Sequence, residues 1–148
     1  MDAAIEGVRV ASTPTGPVPV VLLAPDDEPD FLPIFIGFDE AASIARGLDA
    51  EDIGRPLTHD LTLDIVEELG GRVERVVVRD IEDGTYLADV HLATPRDGVV
   101  VDARPSDSLA LAARTNAPIE VADHVFEDGR RDPDEFDDLE DIREVMEV

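Results

Sequence analysis

The chain has 148 residues, with 36 acidic side chains against 12 basic, a formal net charge of −24 and no cysteine. That excludes disulfides, thiolate chemistry and Cys-ligated zinc, and no run of 18 apolar residues is present to cross a bilayer as a helix. All twelve bases are arginine, and 43% of residues are apolar, so the composition is that of a folded cytoplasmic protein adapted to molar salt, where a Debye length of about 3 Å screens self-repulsion.

The length suits one domain with a proper core, expected over residues 1–126, and a strongly acidic tail over 127–148. Residues 3–10 and 18–24 read as strands joined through Pro14, Gly16 and Pro17. Residues 31–37 form a third strand, and Pro33 inside it suggests a sheet edge. Asp39 is expected to cap the first helix, which ends near Gly47. After a connector over 53–57, a second helix starts at Thr58 and stops at Gly70-Gly71. Its Leu61, Ile65 and Leu69 recur every four positions, which predicts one buried stripe.

Beyond Arg72 the pattern becomes strands over 73–81 and 85–92, joined through the tight-turn pair Asp83-Gly84. Val99, Val100 and Val101 read as a buried strand at the centre of the fold. A turn carrying Asp102, Arg104 and Pro105 leads from it into a helix capped by Ser106. Residues 117–122 close the sheet, and Phe136, Leu139, Ile142 and Met146 in the tail recur at helical spacing, as in an amphipathic helix. The fold class is therefore α+β, a largely antiparallel sheet with packed helices. Sliding the chain by 67 residues lays the first helix on that of residues 106–112, each after three strands. Such a pattern arises either from an internally duplicated three-strand-plus-helix unit or from convergence.

No nucleophile elbow, phosphate loop or helix-borne two-histidine zinc motif is present. Candidate chemistry gathers at two helix openings. Asp102 and Asp107 flank the third helix start and could hold Mg²⁺ or Mn²⁺ through oxygen ligands, against the plainer roles of helix cap and partner to Arg104. His59 beside Asp60 is a candidate general base or ligand at the second helix start, against a surface or capping role. Arg104 and Arg55 could grip a phosphate, or form internal salt bridges. A −24 chain has no electrostatic footprint for nucleic acid in dilute salt, although molar salt weakens that term for any protein.

The segments LPIFIGFDEAASIARGL, RPLTHDL, VERVVVRDIEDGTYLADVHL and VDARPSDSLALAARTNAPIEVAD, taken together, resemble the bifunctional nuclease family over about residues 5–125. The resemblance implies a compact α+β domain that cleaves DNA and RNA, and it places His59, Asp60, Asp102 and Asp107 inside the most characteristic motifs. The absence of lysine departs from a typical member. The leading expectation is thus a metal-assisted phosphodiester hydrolase. It competes with a non-catalytic binding or assembly module, and a homodimer paired through a sheet edge is expected in either case.

Overall fold

The structure, a computed structural model, describes residues 1–52 and 54–146, so residue 53 of the expected connector lies outside the described residues. Strands β1 (Asp2–Thr13), β2 (Gly16–Pro25) and β3 (Leu32–Phe35) form an antiparallel meander followed by helix α1 (Phe38–Leu48). Helix α2 (Thr58–Glu68) intervenes. A second meander of β4 (Arg72–Glu82), β5 (Thr85–Ala93) and β6 (Gly98–Ala103) then leads into helix α3 (Pro105–Thr115). The three-strands-then-helix order thus occurs twice.

The two meanders join into one sheet through β7 (Ile119–Val121), in the order β3-β2-β1-β7-β4-β5-β6. Strand β7 does not close an edge, as position in the chain suggests. It lies at the centre, antiparallel to β1 and parallel to β4, the one parallel pairing among the described strands. The sheet is otherwise antiparallel, in agreement with the expected class.

Helices α1, α3 and α2 form a layer on one face, with α3 packed between the other two. Their apolar sides meet the inward residues of the sheet in one core that includes Val21, Leu23, Ile44, Val76, Val90 and Leu109. The second stop is as expected: Gly70 takes φ +83°, and the amides of Gly70 and Gly71 return to the carbonyls of Glu67 and Val66. The two expected caps are each displaced by two residues. α1 starts at Phe38 after Gly37, and α3 starts at Pro105 with Arg104 in the cap position. Proline is pre-organised for the first helical position and has no amide to satisfy, so Pro105 moves the helix start ahead of Ser106. Ser106 is then buried inside the first turn.

Residues 127–146 do not form an amphipathic helix. After α4 (Asp123–Gly129) comes a single 3₁₀ turn (Pro133–Phe136), then β8 (Glu140–Asp141) and a short α5 (Ile142–Val145). Strand β8 pairs with β1 at Arg9 and Val10, and Ile142 enters the main core. Phe136 packs with Val20 and Leu22 on the other face of β2, making a second small core. The apolar residues that suggested one helix face are spent on two different surfaces.

Two further expectations reverse. Strand β6 is an outer edge, and Val99, Val100 and Val101 are about half exposed. Along α2 it is Leu63 that packs on the core, while Leu61, Ile65 and Leu69 face outward, Leu69 with 76% of its surface exposed.

Candidate functional site

The openings of α2 and α3, 48 residues apart in sequence, meet. His59, in the first turn of α2, places Nε2 2.8 Å from Oδ1 of Asp107, in the first turn of α3. Its Nδ1 lies 2.6 Å from Oγ of Ser43, in the middle of α1. One imidazole therefore ties all three helices. Asp107 also accepts from Arg104, at 2.9 Å from Nε and 3.2 Å from NH2, and Arg104 reaches Glu40 of α1 at 3.2 Å.

Burial works against ionisation of Asp107, but the hydrogen bonds from Arg104 and His59 outweigh it and hold the carboxyl below its ordinary range. Asp107 is therefore an anion near neutral pH and can only accept. His59 Nε2–H must then donate to it, and in the neutral ring Nδ1 accepts the Ser43 hydroxyl. The arrangement fixes the tautomer. His59 is largely enclosed, with 15% of its side chain exposed, whereas Arg104 is 63% exposed, with its guanidinium engaged by Asp107 and Glu40 beside a neighbouring recess lined by Gly37 and Tyr86.

The pair opens on a cleft of about 330 Å³ between α2 and the sheet, with Thr58 and Thr62 on one wall and Val101 and Ala103 on the other. Leu111 and Leu92 make its floor apolar. A carboxylate–imidazole pair at the rim of such a cleft can move a proton to or from a bound group in a partly desolvated setting.

Asp60 follows His59 but turns away from this cleft. Its Oδ1 accepts from Arg114 Nε at 2.7 Å and its Oδ2 accepts the Leu57 amide at 3.0 Å. Burial pushes the Asp60 carboxyl up, but these bonds pull it below its ordinary range. Arg114, only 9% exposed, also donates to the carbonyls of Ser43 and Ala110, so this ion pair is a staple between helices.

Asp102 is not part of the site. Along β6, Val101 and Ala103 point into the cleft, so alternation puts Asp102 on the opposite face of the sheet. There it stands across from Asp89, and Arg79 bridges the two like charges at 3.0 Å to Asp89 and 3.2 Å to Asp102. The expected two-carboxylate cation site at Asp102 and Asp107 is therefore not assembled. Among the described residues no three His, Asp or Glu side chains are grouped to hold a metal ion. Arg55 lines a separate recess with Asp60 and Asp64, away from the cleft that holds His59.

Ser43 is the one site residue absent from the sequence reading. A serine in an Ala-rich helix reads as a small packing residue, and only the proximity of His59 distinguishes it.

Residues 20–133 match the family model described as "Bifunctional nuclease domain". Uncharacterized proteins from two strains of Mycobacterium tuberculosis are each 39% identical over 138 residues, covering 93% of this chain and 81% of theirs. Bifunctional nuclease 2 of Arabidopsis thaliana is 28% identical over 116 residues, covering 76% of this chain but 35% of the plant protein.

Proposed function

The chain belongs to the bifunctional nuclease domain family, and on that premise we propose that it hydrolyses phosphodiester bonds of DNA or RNA at the His59–Asp107 pair. The observation that carries the reading is the 2.8 Å contact between His59 Nε2 and Asp107 at the rim of a cleft. Arg104, with its exposed fork beside Asp107, is the phosphate contact. Asp107 sets the tautomer of His59 and stabilises the imidazolium that forms when Nδ1 takes the Ser43 hydroxyl proton as Ser43 Oγ takes one from the attacking water. The water oxygen bonds to phosphorus, the bond to the leaving oxygen breaks, and the imidazolium returns the proton to that oxygen. Because Asp102 and Asp107 lie on opposite faces, no step runs through a metal held between them. A divalent cation enters this reading only with the polyanionic substrate, as its counter-ion.

A second reading, a non-catalytic binding or assembly module, draws on a different observation: both ring nitrogens of His59 and both carboxylate oxygens of Asp107 are already engaged. Release of acid-soluble nucleotides from single- and double-stranded substrates, in molar KCl with Mg²⁺, Mn²⁺ or chelator, separates the two. The nuclease reading expects His59→Ala and Asp107→Ala to lose roughly 10²- to 10⁴-fold in rate. Equal rates in wild type and both variants, or none in any, favour the module.

The same reading includes a cytoplasm of molar salt, supported by the lysine-free, −24 chain, and a homodimer as the working form. Among the described residues no helix is long and apolar enough to cross a membrane.

A further inference from the structure

Among the described residues three polar side chains are buried, all of them serines, and two spend their hydroxyls inside the protein. Ser43 bonds His59, and Ser108 donates to the Arg104 carbonyl at 3.1 Å. Ser106 is only 5% exposed, yet its hydroxyl has no hydrogen-bond partner among the described residues. No fully buried side-chain oxygen there lacks a partner, so the accessible remnant of Ser106 is its hydroxyl, and it opens into a recess. An enclosed hydroxyl that the chain itself does not satisfy is costly unless an entering group bonds it.

That recess, of about 360 Å³, lies between the openings of α1 and α3 and the Asp83-Gly84 turn. Two aromatic side chains stand on it, Phe35 from the end of β3 and Tyr86 from the start of β5. The chain has five phenylalanines and one tyrosine, and Phe35, at 56%, is the most exposed of the six. The charged residues on the wall are Glu40 and Arg104, joined at 3.2 Å, so the recess has no net charge of its own. Its size, aromatic walls and few polar groups suit a flat heterocycle.

The recess adjoins the His59–Asp107 pair. Ala103 and Asp107 line the cleft that holds His59, and the three residues between them in the chain line the recess. Arg104, on that partition, donates to Asp107 and Glu40 through three of its five N–H groups, which leaves two for a phosphate.

We infer that the recess holds one unpaired base of a single-stranded substrate, the base of the nucleotide whose phosphate meets Arg104. This rests on the nuclease reading and names the form of nucleic acid it takes. The base lies against Phe35 and Tyr86, its ring edge bonds the Ser106 hydroxyl, and one of its N–H groups donates to Glu40. A hydroxyl donates or accepts, and every base has a face to stack, so the site accepts any base that is free. A base in a duplex must first be pulled from its pair and its stack. Selection by stacking, with little help from phosphate charge, also suits a chain of net charge −24.

Fluorotyrosine incorporated at Tyr86, the one tyrosine of the chain, gives a single fluorine NMR line from the wall of the recess. Deoxyadenosine monophosphate in molar KCl is the probe, because it carries a base and a phosphate but no diester to cleave. The line is expected to shift and saturate with it, and to stay in place with inorganic phosphate. F35A and S106A are each expected to weaken this binding at least about fivefold. S106A is also expected to melt with wild type, because its hydroxyl holds nothing in the fold. A single-stranded oligodeoxyadenylate is expected to displace the mononucleotide, and the same strand paired with oligothymidylate to need at least about tenfold more. A line that the mononucleotide does not move, or that phosphate moves as far, overturns the base site, as does an affinity that F35A and S106A leave unchanged. Equal displacement by strand and duplex overturns the preference for an unpaired base. None of these arms reads hydrolysis: a chain that binds as expected and cleaves no diester loses the nuclease reading, and one that cleaves without binding the mononucleotide loses the recess alone.

Discussion

Strands β2 and β6 are written in nearly the same letters, Val20-Val21-Leu22-Leu23 in one and Val99-Val100-Val101 in the other. The first is completely buried on both faces and the second is about half exposed on both. Each strand sits in a three-strand meander that feeds a helix, so local pattern does not separate them. What differs is the cover. Strand β2 lies between β1 and β3, with the helix layer on one face and Phe136 of the C-terminal segment on the other. Strand β6 has a neighbour on one side only, and the face opposite the helices carries the charged set Arg79, Asp89 and Asp102. The C-terminal segment covers the far face of the first meander and leaves the far face of the second, with its charged set, to solvent.

Truncating each strand at one residue would break this comparison most sharply. Leu22→Ala removes a fully buried side chain wedged against Phe136 and is expected to cost about 2–5 kcal/mol. Val100→Ala is expected to change stability by less than about 0.5 kcal/mol. Urea unfolding of both variants provides the check. A loss at Val100 comparable with that at Leu22 would mean that β6 is buried in the isolated chain.

The same two strands show what was legible in the sequence and what was not. Element order, the Asp83-Gly84 hairpin and the antiparallel class follow from alternation and turn chemistry, which are local. Burial is not local. Three valines in a row satisfy the signature of an enclosed strand, and the Leu61-Ile65-Leu69 spacing satisfies that of a buried helix stripe. Both patterns mark an apolar surface without naming what covers it, so each is equally that of a core element. The central place of β7 was also out of reach, since its parallel pairing with β4 depends on chain crossings that no window of residues records. Of the site, the meeting of His59 with Asp107 was anticipated from two motifs. Asp102 was misplaced because the turn between it and Asp107 crosses from one face of the sheet to the other.

A middle-sized effect distinguishes the junction of the helix layer from the charged face of the second meander. Asp107 is held below the ordinary carboxylate range in the folded chain, so its contribution to stability is complete above the unfolded value near 3.9 and is lost as pH falls through the folded value. Asp107→Asn is expected to lower stability at neutral pH by about 1.5 kcal/mol, the low end for a charge-assisted bond because the side chain is about one-third exposed to solvent. The gap between wild type and variant is expected to be constant above about pH 5 and to close below about pH 4. Melting curves across that range test it. Asp102→Asn, on the exposed face beside Arg79, is expected to show no such closing gap.

The smallest contrast concerns the two hairpins that join the meander strands. In the first, Thr13 donates its hydroxyl to the Gly16 carbonyl at 2.6 Å, so a side chain helps to hold the turn. In the second, Asp83 and Gly84 both take positive φ, +51° and +80°, the conformation a two-residue turn needs to match the twist of β4 and β5. A Cβ added at Gly84 would meet open space, so Gly84→Ala loses no contact and reports the backbone cost alone. That cost is expected to be about 1 kcal/mol, with the fold and the oligomeric state unchanged. Thr13→Ala instead removes the part-buried hydrogen bond to Gly16 and an exposed one to the Thr15 hydroxyl, and its expected cost is about 0.5 kcal/mol. If Gly84→Ala proved neutral, the β4–β5 hairpin would not need its left-handed pair, and the tight turn expected from Asp-Gly would be a consequence of strand pairing and not one of its causes.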